Sequence, residues 1–322
     1  MKLLFVGGTS FVGRHAVEAA VSAGHDVTVF HRGQTNDDLL AGAVSHRHGD
    51  RDGPDYAALD DGTRWDAVID VAAYVPRHVH QLADVLGGRA GHYVHISSVS
   101  AYDHRTVTPD EDSPLHADLD DSTIEVVTAE TYGPLKAMCE RVGRRRFGDD
   151  RTAIIRPTYV AGPYDPTDRF TYWARRMARG GDVAIVGPGA PLQIVDARDL
   201  GQFIVGCAAS RTSGSFDAVG PWAPVEEFLT TITPPGVEAR FVDVGGSALE
   251  SAGTWLPLLS AEPQPAALMT RPGGRARAAG LVTRPLVQTG EATRLWDAER
   301  GQPELKNAPT PLVEAELLAR HR

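Results

Sequence analysis

The sequence predicts an α/β protein: a doubly wound parallel sheet with a smaller C-terminal lobe. Three observations predict it. Short runs rich in Val and Ile alternate with amphipathic stretches through the first half of the chain. The first of these runs passes directly into a glycine-rich turn, "GGTSFVGR". After Arg156 the alternation gives way to segments with frequent Pro and Gly and weaker periodicity. Regular strand–helix alternation covers both faces of a parallel sheet with helices. A chain of 322 residues suits such a domain carrying a second lobe.

Taken in order, strands are expected at 3–6, 27–30, 67–71, 92–96 and 153–155, each short and bounded by Gly, Asp or Pro. A further strand-like segment precedes "HGDRDG". Helices are expected at 13–23, 75–86, 130–146 and 170–179. "VAIVG" reads as a strand, "PLQIVDARDLGQFIVGCAA" as strand, connection and helix, and "SFDAVG" as a further strand. The expected division is 1–165 with 190–221 as the main domain, and 166–189 with 222–322 as the smaller lobe. The acidic stretch 109–122 reads as a solvated loop. The basic "ERVGRRRFGDDR" reads as a helix end that complements the helix dipole.

Composition narrows the function. The hydrophobic share is 42%, normal for a globular protein. No apolar run approaches the roughly 18 residues of a membrane span, and no cleavable leader is visible. Two distant cysteines, Cys139 and Cys207, give neither a disulfide framework nor zinc spacing, so a reducing cytoplasm is expected. The net charge of −10 counts against a nucleic-acid partner. The twelve histidines are scattered, and "HVH" at 78–80 puts two of them on different helix faces, so no metal is expected. Lysine occurs only at Lys2, Lys136 and Lys306.

The turn after the first strand has the spacing Gly7-x-x-Ser10-x-x-Gly13. Glycine is needed where the chain turns tightly and where a helix packs closely on a strand, and the helix-start N–H groups can then receive a pyrophosphate. Gly7, Thr9, Ser10, Phe11, Val12 and Gly13 are therefore expected to hold a dinucleotide, as in a Rossmann domain. The second strand ends in His31 and Arg32, where a carboxylate would bind the ribose hydroxyls of NAD. An arginine there accepts a 2′-phosphate, so NADP(H) is favoured over NAD(H). Asp50 is a candidate for the adenine, and Ala72 and Ala73 let a cofactor lie against a strand end.

The fifth strand ends in hydroxyls, Ser97, Ser98 and Ser100, and "ETYGPLKAMCERV" follows. Pro134 suits a first helical turn, where its missing N–H costs nothing, and Tyr132 and Lys136 then share a face. A tyrosine titrates near 10, too high for a base at neutrality. A neighbouring ammonium favours the phenolate and lowers that value. With eight tyrosines and three lysines, chance gives this spacing in roughly one chain in thirteen, so the pair gains meaning only beside the glycine loop and the strand-end serines. Cys139, three residues on, reads as a packing residue.

These motifs, "VGGTSFVGRH", "SSVSAY", "YGPLK", "IRPTYVAGP" and "IVDARDLGQFI", resemble the extended branch of the short-chain dehydrogenases/reductases, the NAD(P)-dependent epimerase/dehydratase type. The likeness is good over about residues 1–205 and vaguer afterwards. It implies Tyr132 as acid/base, Lys136 as its activator and ribose ligand, and Ser98 rather than Ser97 as the catalytic hydroxyl. It places Pro157 and Thr158 at the nicotinamide, and Tyr74, Tyr102, Tyr159, Arg169 and Trp173 on the substrate face. Ser10 replaces the middle glycine of the loop. The relay Asn of the superfamily has no counterpart, since Asn36 and Asn307 are badly placed. Leu192 stands where nucleotide-sugar enzymes carry a diphosphate-binding Arg.

The main expectation is thus hydride transfer at a carbinol or ketone of a small carbohydrate-like or secondary-metabolite substrate. The alternatives are a nucleotide-sugar epimerase or dehydratase, the latter disfavoured because "VSAYD" carries no acidic pair, and a non-catalytic RNA-binding or redox-sensing protein on the same fold. A homodimer is the expected assembly.

Overall fold

The structure, a computed structural model, describes residues 1–53, 55–108, 110–120, 124–259, 265–306 and 308–321. Residues 109, 121 and 122 of the acidic stretch, and Asn307, lie outside the described residues. The chain divides into two compact units. The first comprises Met1–Thr158, Ala197–Val219 and Pro272–Val282; the second Tyr159–Asp196, Gly220–Arg271 and Thr283–Arg322.

The first unit is built on β1 (Lys2–Val6), β2 (Asp26–His31), β3 (Val44–His48), β4 (Ala67–Asp70), β5 (Tyr93–Ile96), β6 (Thr152–Pro157) and, late in the chain, Gly214–Ala218. These seven pair in parallel throughout, with Gly214–Ala218 next to β6, then β5, β4, β1, β2 and β3. Strand order reverses about β1, so the loops after β1 and β4 leave side by side. That is where an open α/β sheet binds its ligand. One face is covered by α1 (Phe11–Ser22) and the later helix Ala197–Ser210. The other carries α2 (Pro76–Leu86) and α3 (Ala129–Phe147), whose Leu82, Leu86, Cys139, Val142 and Phe147 pack with Leu4, Val68 and Tyr93 of the sheet. Burial holds the Cys139 thiol up at about 12, the state of an inert packing residue.

In the second unit, β7 (Tyr159–Ala161) and α4 (Arg169–Met177) are followed by β8 (Gly181–Ile185) and β9 (Pro191–Asp196). The helix Ala197–Ser210 (α5) and strand Gly214–Ala218 (β10) then return to the first unit. The second resumes with β11 (Trp222–Pro224), α6 (Val225–Ile232) and β12 (Ala239–Asp243). Strands β7, β9 and β11 form one small sheet, and β8 with β12 another. The core of this unit gathers Phe170, Trp173, Ile185, Phe228, Leu229 and Leu256.

The unit borders differ from the expected ones for a reason of pairing. Strand β7 pairs with β9 in register Tyr159↔Ile194, which keeps 159–165 and 190–196 in the second unit. A short helix, Gly274–Ala278, packs on β10 and takes 272–282 into the first. The stretch from Trp222, weakly periodic in sequence, holds β11 and β12, which pair with β9 and β8, and helices that are mostly short, Leu286–Glu299 apart. The short ones use few turns, so the period-3.6 signal has little length in which to register. No helix among the described residues is long and apolar enough to cross a membrane.

Candidate active site

The glycine loop is shaped by positions that only glycine fills. Gly7 has φ +78°, and a Cβ on it would sit 3.1 Å from the Ala72 Cβ, so the loop after β1 lies flat against the end of β4. Gly8 has φ +141°, and a Cβ on Gly13 would fall 2.6 Å from the Gly8 Cα, closer than packing allows. Helix α1 thus starts directly beneath the loop, with its unpaired N–H groups at the sheet's carboxyl edge. Ser10 is the N-cap residue but its side chain makes no capping bond, and Phe11 opens the helix at φ 39°. Thr9 is buried, and its carbonyl accepts a 2.7 Å bond from Asn36 Nδ2. Asn36, dismissed in the sequence as a relay residue, clasps the β2–β3 loop to the glycine loop. Such an amide bond across 27 residues leaves no periodic trace.

At the end of β2, His31 is buried and bonded to His46, while Arg32 is exposed and has no side-chain partner among the described residues. Asp50 accepts the Asp52 N–H in its own turn. Ala73 is buried at the end of β4 and Ala72 partly so.

The Tyr132–Lys136 pair lies on the first turns of α3, which Thr128 caps by accepting the Glu130 and Thr131 N–H groups. A Cβ on Gly133 would be 2.3 Å from the Ser100 carbonyl oxygen, so this glycine lets α3 press against the turn after β5. Lys136 is buried (3% exposed) and its ammonium donates to the Ala73 carbonyl at 2.9 Å and the Ile96 carbonyl at 2.6 Å. It is thereby pinned between the ends of β4 and β5, with one of its three N–H donors left over. Burial lowers its pKa against the opposing pull of neighbouring groups, among them Tyr74 and Asp70. Tyr74, half exposed, has its ring 5.6 Å from the Lys136 nitrogen and 6.5 Å from the Tyr132 ring.

The two serines differ. Ser97 is buried and donates to Glu140 Oε1 at 2.5 Å; Ser98, less buried, accepts the Ser100 N–H and keeps its own proton available. Glu140 also takes two bonds from Arg156, which in turn donates to the Tyr102 hydroxyl, itself bonded to Asp217. Tyr102 is fully buried in this network, which corrects its expected place on the substrate face. Pro157 and Thr158 are buried at the end of β6, and the Thr158 hydroxyl has no hydrogen-bond partner among the described residues, an orphan that a bound group could satisfy.

In the second unit, Arg169 lies 5.6 Å over the Tyr159 ring and both are partly exposed. Trp173 is fully buried and donates to the Pro257 carbonyl at 2.5 Å, so it is a core residue and not a substrate contact. Leu192 is likewise buried. An aromatic on a helix reads the same in sequence whichever way it points.

The NAD dependent epimerase/dehydratase family matches residues 3–215. The chain belongs to this family. It is an enzyme of the extended short-chain dehydrogenase/reductase type, and the seven-stranded parallel sheet is that of its structural relatives. WbmH of Bordetella bronchiseptica, solved with NAD+, has a TM-score of 0.67 at 16% identity, covering 94% of this chain and 100% of its own. A nucleoside-diphosphate-sugar epimerase of Pseudomonas aeruginosa gives 0.66 at 19%, covering 94% and 99%. The UDP-glucuronic acid 4-epimerase of Bacillus cereus, solved with NAD, gives 0.65 at 15%, covering 93% and 99%. No curated protein matches the sequence. The residues present fit a dinucleotide: a loop no Cβ could enter, an exposed arginine past β2, and a lysine with a spare donor between two strand ends.

Proposed function

We propose that this enzyme is an epimerase that oxidises and re-reduces one carbinol carbon of a polyhydroxylated, sugar-like substrate. Family membership favours this reading over simple ketone reduction, which was the main expectation from sequence. The observation that carries the chemistry is Lys136, held by two strand-end carbonyls one turn from Tyr132. A nicotinamide, held by the glycine loop and Lys136, would supply the hydride chemistry at the substrate carbon. Tyr132 takes the proton from the substrate oxygen and gives it back; Lys136 favours the phenolate by its charge and offers its spare N–H to the ribose. Ser98 holds the substrate oxygen. Leu192 supplies no cation for a diphosphate, so a substrate held by hydroxyl groups fits better than one held by its phosphates. For the cofactor, Arg32 supports NADP(H). Asp37, the carboxylate of the β2–β3 loop that could bind ribose hydroxyls, is already engaged by His48 at 2.5 Å.

The test is to denature the purified protein, quantify released dinucleotide by chromatography, and assay a sugar panel for stereoisomer interconversion without added cofactor. Near-stoichiometric dinucleotide and isomer formation, abolished in Tyr132→Phe with the dinucleotide retained, is the expected result. Stoichiometric consumption of added NAD(P)H by a ketone would return the assignment to a reductase, and a fully active Tyr132→Phe would discard the mechanism.

A further inference from the structure

Strands β2 and β3 bring together histidines that the sequence scatters. Their parallel register sets His31 opposite His48 and Val29 opposite His46, so His46 and His48, two apart on β3, share the face of His31. Arg47 between them points to the opposite face and pairs with Asp61. The His31 ring lies 5.0 Å from that of His46 and 4.9 Å from that of His48, centroid to centroid. Asp37 enters from the β2–β3 loop, 2.5 Å from His48 Nε2 and 3.9 Å from His31 Nε2. One ligand atom each from His31, Asp37 and His48 lies within 4.8 Å of the others.

We propose that His31, Asp37 and His48 form a binding site for a divalent transition-metal ion of the zinc class, with the His46 nitrogen beside it as a fourth donor. Two imidazoles and a carboxylate are a donor set such ions favour. Ligands about 2.1 Å from a tetrahedral ion stand about 3.4 Å apart, between the 2.5 and 3.9 Å separations seen here, and exposed Asp37 and His48 can rotate to close the difference. The ring protons agree. His46 Nε2 donates to the Leu39 carbonyl, which can only accept, so a neutral His46 turns a lone pair at Nδ1 toward His31 Nε2, 2.8 Å away. A backbone carbonyl behind the ring is the usual support of a metal-bound histidine. Without metal, the His31 proton sits at Nε2, because Nδ1 accepts the Gly33 N–H. Metal displaces that proton to Nδ1, and the exposed Gly33 N–H turns to water.

The site sits at the end of β2 beside Arg32, and its test does not use the proposed reaction. Metal-stripped full-length protein is titrated with Zn2+ by calorimetry and with Co2+ by visible absorption. One saturable equivalent is expected, with d–d bands stronger than those of aqueous Co2+. Asp37→Asn and His48→Ala, both at exposed positions, should each weaken binding at least tenfold while metal-free melting temperatures stay near wild type. Absence of saturable binding overturns the site. So does binding unchanged in both variants, which would place the metal on the other histidines.

Discussion

Ser97 gives its proton to a buried carboxylate, whereas Ser98 beside it spends only a lone pair on the Ser100 N–H. Removing the first hydroxyl strips one bond from Glu140 and leaves Arg156 in place. Ser97→Ala should therefore cost about 1–2 kcal/mol of stability and leave most of the turnover. Ser98→Ala should lower kcat by about 100-fold or more at nearly unchanged melting temperature. Urea unfolding and steady-state kinetics on both variants check this, and the reverse pattern would move the reacting hydroxyl to Ser97. A second residue sets a pH dependence. His95 is fully buried behind Lys136, and burial, with the Lys136 charge, holds its pKa well below 6.5. Its folded pKa is depressed, so its contribution is fully present above the unfolded value near 6.5 and is lost as pH falls from there toward the folded one. Stability should drop by up to about 1.4 kcal/mol per pH unit over that window. His95→Gln should flatten the slope by about one proton's worth, measured by urea melts at pH 7, 6 and 5; an unchanged slope would locate the acid sensitivity elsewhere. At this scale local spacing was enough to put Lys136 on the early turns of a helix and the glycines in a strand–helix turn. It misplaced Tyr102, whose hydroxyl meets Asp217 at a separation of 115 residues, and it missed Asn36 and the histidine group, which only the register of two strands assembles.

Helix α5 carries two glycines with opposite assignments. Gly201 faces α1 so closely that a Cβ would lie 2.7 Å from the His15 carbonyl carbon and 2.8 Å from the Ala16 nitrogen. Backbone cannot yield as a flexible side chain does, so Gly201→Ala must push the two helices apart, at about 1–3 kcal/mol. Gly206, in the same helix, is exposed and a Cβ there meets nothing within 4 Å. Gly206→Ala should stabilise the protein by about 0.5–1 kcal/mol through helix propensity and a less disordered unfolded chain. Thermal melts of the two variants should shift in opposite directions; two shifts of the same sign would mean that α1 and α5 can separate freely. Strand and helix positions in the first unit were legible because each element is long enough to show its period and is bounded by Gly, Asp or Pro. Beyond Trp222 most elements are short, the 14-residue helix Leu286–Glu299 apart, and they are held by partners distant in sequence.

At the scale of the whole chain, those distant partners are ion pairs that return the C-terminal third to the earlier elements of its own unit. Arg175 on α4 holds Asp297 through two 2.7 Å bonds, Arg300 holds Asp168 at 2.7 Å, and Arg176 holds Glu314 at 2.7 Å across 138 residues. The last pair is the most informative, because both side chains are 6% exposed and the carboxylate also accepts the Ala184 N–H of β8. Removing one partner of a buried pair leaves the other charge uncompensated, which costs far more than the pair's net worth. Glu314→Ala should therefore destabilise by about 3–5 kcal/mol, while breaking the more exposed Arg240–Asp182 pair by Arg240→Ala should cost less than about 1 kcal/mol. The double replacement Arg176→Met with Glu314→Leu discriminates the causes. It should recover much of the loss if the cost lies in the stranded charge, and recover nothing if the pair's own attraction fastens the C-terminal helix Pro311–Ala319 to β8.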